Sequence, residues 1–129
     1  MFKKNNQIKD LNQQEISTLI GLGFTITGEL KGKAVIRIDG TVIGNVNVEG
    51  GIVLGEKGMI KGDIQTGSAI IYGTVNGNVK TQNLEIKKTG KVNGDIKTDT
   101  LEIELGAQYN GKLEMHQSSK TEDKVAAKV

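Results

Sequence analysis

The sequence predicts an all-β, single-domain fold: a parallel β-helix (β-solenoid) of about six coils, triangular in cross-section, with flexible N- and C-terminal tails. Three observations carry this expectation. An apolar-x-Gly-x-apolar motif recurs six times between Phe24 and Met115. Its copies are Ile26-Thr27-Gly28-Glu29-Leu30, Val42-Ile43-Gly44-Asn45-Val46, Ile60-Lys61-Gly62-Asp63-Ile64, Val75-Asn76-Gly77-Asn78-Val79, Val92-Asn93-Gly94-Asp95-Ile96 and Tyr109-Asn110-Gly111-Lys112-Leu113. The Gly-to-Gly steps of 16, 18, 15, 17 and 17 residues give a period near seventeen, the size of one solenoid coil, which cannot bury its apolar face alone. Finally, 18 glycines among 129 residues, with many Val, Ile and Thr, oppose helices, because each internal Gly costs about 1 kcal/mol.

Taken in chain order, residues 1–17 read as a flexible tail, 18–115 as the β-helical domain and 116–129 as a disordered, polar and aperiodic tail. Between Asp10 and Leu22 the apolar residues Leu11, Ile16, Leu19 and Ile20 fit either a short one-sided helix or an extended lead-in that folds Leu19 to Phe24 over the first coil. Within the domain a second alternating run precedes each core motif: Ala34, Ile36 and Ile38; Ile52 and Leu54; Ala69 and Ile71; Leu84 and Ile86; Leu101 and Ile103. Strands place alternate side chains on opposite faces, so these positions stack inward while Lys, Glu, Asn and Thr between them face water. A further glycine lies four residues before the central one at Gly40, Gly58, Gly73 and Gly90, with Ala107 in the last coil. Both glycine rows are expected at corners, where positive φ lets three short strands close a triangle. Unequal steps imply unequal corners: Glu49-Gly50-Gly51 is one residue longer than its counterparts, and the Ala69 coil is two residues shorter before Gly73.

Composition narrows the function. The absence of proline leaves every backbone N–H free for a ladder, and the absence of cysteine removes disulfides, thiol catalysis and Cys-ligated zinc. No apolar stretch approaches the length of a membrane span, and no continuous hydrophobic run follows Met1-Phe2-Lys3-Lys4, so a cytoplasmic location is expected. Residues 24–115 carry eleven basic and eleven acidic side chains, a neutrality that permits self-association. Nucleic acid is not expected as a partner: the repeats lack a net basic field, and Phe2, Phe24, Tyr72 and Tyr109 form no stacking series.

Catalytic readings find little support. Hexapeptide acyltransferases repeat every six residues and use a histidine base, whereas these coils are about seventeen residues apart and the one histidine, His116, follows the last repeat. Corners here are too short to build the cleft of a pectin-active β-helix, and the dense Gly/Asp runs of calcium-binding nonapeptides are missing. Asp63 and Asp95 follow the central glycine two coils apart, roughly 10 Å at the usual strand spacing, which is wide for a glycosidase pair. Asn45 and Asn78 hold the same place in the coils between, which indicates turn chemistry with the local backbone. Lys87 and Lys88 read as a solvated corner. No enzyme activity, cofactor, metal or nucleotide is expected.

The run Gly-x-Val-x-Gly-Asp/Asn-Ile/Val resembles the bactofilin family. So do the fragment Leu101-Glu102-Ile103-Glu104-Leu105-Gly106-Ala107-Gln108-Tyr109-Asn110-Gly111 and the lead-in from Ile20-Gly21 to Gly28-Glu29-Leu30, and together they cover roughly residues 18–115. The resemblance implies a right-handed β-helix that polymerises end to end into bacterial cytoskeletal filaments without nucleotide. It also implies an aromatic residue, usually Phe, at the polymer contact in the last coil, a position that falls on Tyr109, and a short N-terminal peptide for the inner face of the cytoplasmic membrane. Met1, Phe2, Lys3 and Lys4 resemble that peptide, pairing an aromatic with two cations. Weak attachment of one copy would be multiplied along a polymer.

An independent argument for polymerisation lies in the ends. Solenoid ends present unpaired N–H and C=O groups that are normally covered by polar caps, and no apolar capping segment follows Met115. The expected interface is Leu101, Ile103, Tyr109, Leu113 and Met115 in the C-terminal coil, with Phe24 and Ile26 at the N-terminal coil. The function the resemblance implies is a membrane-associated scaffold whose partners are further copies of itself and client proteins of the shape or envelope machinery. The alternative is a non-polymerising solenoid that binds a protein or glycan on one flat face.

Overall fold

The computed structural model describes residues 16–115, and all of its regular structure is strand. The chain winds through six rungs of three faces each. The first rung is β1 (Thr18–Ile20), β2 (Thr25–Thr27) and β3 (Leu30–Gly32). The second is β4 (Val35–Ile38), β5 (Thr41–Ile43) and β6 (Val46–Val48). Next come β7 (Gly51–Leu54), β8 (Met59–Lys61) and the first part of β9 (Ile64–Ile71), which turns a corner without breaking and begins the fourth rung. That rung continues with β10 (Thr74–Asn76) and the start of β11 (Val79–Ile86), which likewise carries into the fifth rung with β12 (Lys91–Asn93) and β13 (Ile96–Thr98). The last rung is β14 (Thr100–Ile103), β15 (Gln108–Asn110) and β16 (Leu113–Met115). Every ladder is parallel and joins a strand to its equivalent one coil later.

The register stacks like on like. On one face Ile26, Val42, Ile60, Val75, Val92 and Tyr109 form a column, and the middle four are wholly buried. A second column runs Leu30, Val46, Ile64, Val79, Ile96, Leu113, and a third runs Ile20, Ile38, Leu54, Ile71, Ile86, Ile103. Each fully buried aliphatic side chain contributes roughly 1.5–3 kcal/mol, and these columns merge into one continuous core. Thr66, Thr81 and Thr98 continue the column of Val48 inside the stack. Their hydroxyls are satisfied by neighbouring carbonyls, as where Thr98 Oγ1 donates to Thr100 O at 2.8 Å.

Two corners account for all the unequal steps. The corner after the β3-type strand holds two residues at Lys33-Ala34 and Glu49-Gly50 but one at Gly67, Gln82 and Asp99. The corner after the β4-type strand holds two at Asp39-Gly40 and Tyr72-Gly73 but four at 21–24, 55–58, 87–90 and 104–107. The 15-residue step uses the short form of both and the 18-residue step the long form of both.

Several expectations need correction. Ala34 is not an inward residue: it lies exposed in a corner, and the strand starts at Val35, so the inward pair is Ile36 and Ile38. The two glycine rows differ physically. The central row has positive φ throughout, for example 149° at Gly94, and each glycine passes directly over the carbonyl of the one beneath, so a Cβ on Gly94 would strike Gly77 O. Gly40, Gly58, Gly73 and Gly90 are not in that conformation; a Cβ on Gly73 would meet the carbonyls of Gly55 and Gly58, so close backbone approach is the requirement there. Of the lead-in, Thr18–Ile20 is extended, a ladder strand paired with β4, while Asp10 to Glu15 lie outside the described residues.

Candidate functional site

The central corner shows what the acidic candidates do. Asn45 Oδ1 accepts from the Asp63 N–H (3.0 Å), Asp63 Oδ1 from the Asn78 N–H (3.1 Å), Asn78 Oδ1 from the Asp95 N–H (3.0 Å) and Asp95 Oδ1 from the Lys112 N–H (3.1 Å). The bonds run to the backbone of the next coil rather than to the local backbone. Asp63 and Asp95 are therefore rungs of a ladder with an amide between them. A second amide ladder links Asn76, Asn93 and Asn110, with Nδ2 to Oδ1 distances of 2.9 and 3.2 Å. Lys87 is not merely solvated: its ammonium lies 2.9 Å from Glu85 and 3.7 Å from Glu104, and the Lys88 N–H donates to Glu104 Oε1. The hydrogen bond to Glu85, aided by the charges of Glu85 and Glu104, raises the Lys87 pKa above 10.5.

The sides and the ends of the prism differ. One outward row reads Lys31, Asn47, Gln65, Lys80, Lys97, Glu114, all exposed and polar. The two ends expose the core itself. At the C-terminal end Leu101, Ile103, Ala107, Tyr109 and Leu113 pack on buried neighbours with one side left uncovered. Met115 is also half-buried there, at the end of β16. Ile26 and Leu30 hold the matching places at the N-terminal end, where Phe24 stands 67% exposed in its corner. The expected interface residues thus fall into two sets at opposite ends of the molecule. The end strands β2 and β15 terminate their sheet, each with a neighbour on one edge alone among the described residues. Met1 to Lys4 lie outside the described residues.

Tyr109 is the best-defined member of this site. Its ring closes the column above Val92, while its hydroxyl is shut from water with no hydrogen-bond partner among the described residues. The Ile96 N–H that approaches it is already given to Lys112 O at 2.9 Å. Burial first, and the charge of Asp95 second, push the phenol above its ordinary pKa of 10.0.

Sequence reasoning missed Leu105 and Leu22, which are 92% and 66% exposed. Both occupy the second place of a four-residue corner, where the inner coils carry Glu56 and Lys88. An apolar residue in a slot that is charged elsewhere was the available signal, and it appears only once the coils are aligned by corner length.

A stack of parallel rungs, polar along one whole side and apolar at the two ends of the described residues, defines the class as a parallel β-solenoid. The comparisons with known proteins make this specific: the family model for bactofilins, described as polymer-forming and cytoskeletal, matches residues 18–114. The chain belongs to the bactofilin family. It is 33% identical to bactofilin BacO of Myxococcus xanthus over 72 residues, which is 55% of this chain and 57% of that protein. With BacP of the same organism it shares 28% over 76 residues, 58% of this chain and 32% of the other. The chain therefore spans about half of the first of these relatives and a third of the second.

Solved structures agree on the fold. The double-helical filament of Thermus thermophilus bactofilin, determined by cryo-EM, matches with a TM-score of 0.71 and 30% identity over 75% of this chain and 99% of that one. Bactofilin BacA, determined by solid-state NMR, matches with a TM-score of 0.73 and 29% identity over 81% of this chain and all of the other.

Proposed function

We propose that this chain is a cytoskeletal scaffold that polymerises end to end without nucleotide and is held at the inner face of the cytoplasmic membrane by Met1 to Lys4, where it organises shape or envelope proteins. The observation that carries the reading is the contrast between charged, hydrogen-bonded outward rows and two ends that no further described strand covers, bearing Tyr109, Leu113 and Leu105 at one extreme and Phe24, Ile26 and Leu22 at the other. The Thermus thermophilus relative forms filaments, and its crystal structure was obtained for a variant with a phenylalanine replaced by arginine, to which this chain is 32% identical with a TM-score of 0.65 over 67% of its length and 98% of the other.

Negative-stain microscopy of purified protein tests the assembly. Long filaments without nucleotide are expected, and Tyr109→Arg is expected to leave small, folded species, because like charges would meet across the end contact. Filaments of normal length from folded Tyr109→Arg protein would remove Tyr109 from the contact. Membrane attachment is tested separately: deletion of Met1 to Lys4 should leave filaments intact but release them from anionic liposomes, and salt should weaken binding of the intact chain. Equal pelleting of both forms would place attachment elsewhere.

A further inference from the structure

One apolar cluster is unrelated to the core or the ends. On the face formed by β1, β4, β7, β9, β11 and β14, the column Leu19, Arg37, Val53, Ile70, Glu85, Glu102 points outward. Val35 stands beside it, one residue ahead of inward Ile36. Outward positions on a solenoid are ordinarily wet, and Lys80 and Lys97 on the adjoining face are exposed. Yet Val35, Val53 and Ile70 are only 4, 2 and 4% exposed, forming a separate cluster with Tyr72 packed at its border. Among the described residues no helix or further strand overlies this face.

We propose that this stripe is the docking surface for the chain's own N-terminal segment, residues 5–15, which leaves Met1 to Lys4 free. The segment's point of departure is fixed: the Ser17 N–H donates to Val35 O at 2.9 Å, so the chain ahead of it begins at the head of the stripe. Reach is sufficient. From the rung of Val35 to that of Glu102 is four coil steps, about 19 Å at ~4.8 Å each. The eleven residues 5–15 cover ~16 Å when wound as a helix and ~36 Å when extended, which brackets that distance. Composition also fits: Ile8 and Leu11 supply apolar side chains for Val53 and Ile70, and Lys9 would meet the carboxylate of Glu102 that continues the row. A second copy fits less well, because three aliphatic side chains offer far less than the ~800 Å² that each partner of a stable interface contributes.

The lack of native cysteine makes the test direct. In the full-length chain, Leu11→Cys is combined with Val53→Cys or with Ile70→Cys, and, as a control on the adjoining face, with Lys97→Cys. After mild oxidation, non-reducing electrophoresis separates a closed monomer from a cross-linked dimer. The expected result is fast-migrating monomer for the Val53 or Ile70 pair, at several-fold the yield of the control. Dimer in its place would assign the stripe to a second copy, and equal yields for stripe and control would show an undocked segment; either result overturns the proposal. The readout is independent of filament formation and of membrane attachment, since within-chain and between-chain bonds are distinguished in any assembly state.

Discussion

At the residue scale the decisive positions are those where one atom too many, or one unpaired, has a large effect. Val92 is wholly buried while Lys91 beside it is exposed. Val92→Asp should therefore prevent folding by burying an unpaired charge, and Lys91→Ala should shift thermal unfolding by less than about 0.5 kcal/mol. Gly94→Ala combines a φ of 149° with a collision against Gly77 O and should destabilise by roughly 3 kcal/mol or more. Tyr109 offers the opposite sign. Its buried hydroxyl has no partner among the described residues, so Tyr109→Phe should stabilise by about 1 kcal/mol in denaturant unfolding. The pH dependence follows from the same atom. The folded state holds the phenol proton more tightly than the unfolded chain does, so its contribution to stability is intact below pH 10.0 and falls as the pH rises beyond it. Lys87, raised above 10.5 chiefly by Glu85, acts in the same direction. Alkaline titration should unfold the protein more readily than the Tyr109→Phe variant, with phenolate absorbance rising in step.

At the element scale, strands are fixed and corners are adjustable. Inserting one glycine between Lys88 and Thr89 lengthens a corner and should cost less than about 1 kcal/mol, whereas inserting one between Val92 and Asn93 turns a strand's side chains over and should unfold the protein. Circular dichroism with thermal melts compares the two. The same division explains what could be read in advance. Columns such as Val42, Ile60, Val75 and Val92 are legible because a strand period of two and a recurring Gly offset both appear in one dimension. The Asn45-Asp63-Asn78-Asp95 ladder was legible as position but not as bonding, since its acceptors serve an N–H fifteen to eighteen residues away. The cluster of Val35, Val53 and Ile70 is not legible in the sequence, because a single chain of letters does not show that Val53 or Ile70, each between two inward residues, belongs to another surface. Tyr109 was expected at the open end, where it closes the Val92 column, but its unpaired hydroxyl depends on Ile96 having given its N–H to Lys112.

At the scale of the whole molecule, stacking direction is the claim on which the rest depends. Six rungs at ~4.8 Å make a subunit about 29 Å long, and if like ends meet through two-fold contacts the repeat doubles to roughly 58 Å. Apolar residues at both ends, Phe24, Ile26 and Leu22 on one and Tyr109, Leu113 and Leu105 on the other, make either contact able to exclude water. Fibre diffraction from aligned filaments tests this most directly, because strand spacing then reports subunit orientation. End-to-end assembly predicts a reflection near 4.8 Å on the meridian, together with an axial repeat of about 29 or 58 Å. The same ~4.8 Å reflection on the equator would mean that the prisms lie across the filament and associate through their sides, contradicting assembly through the ends.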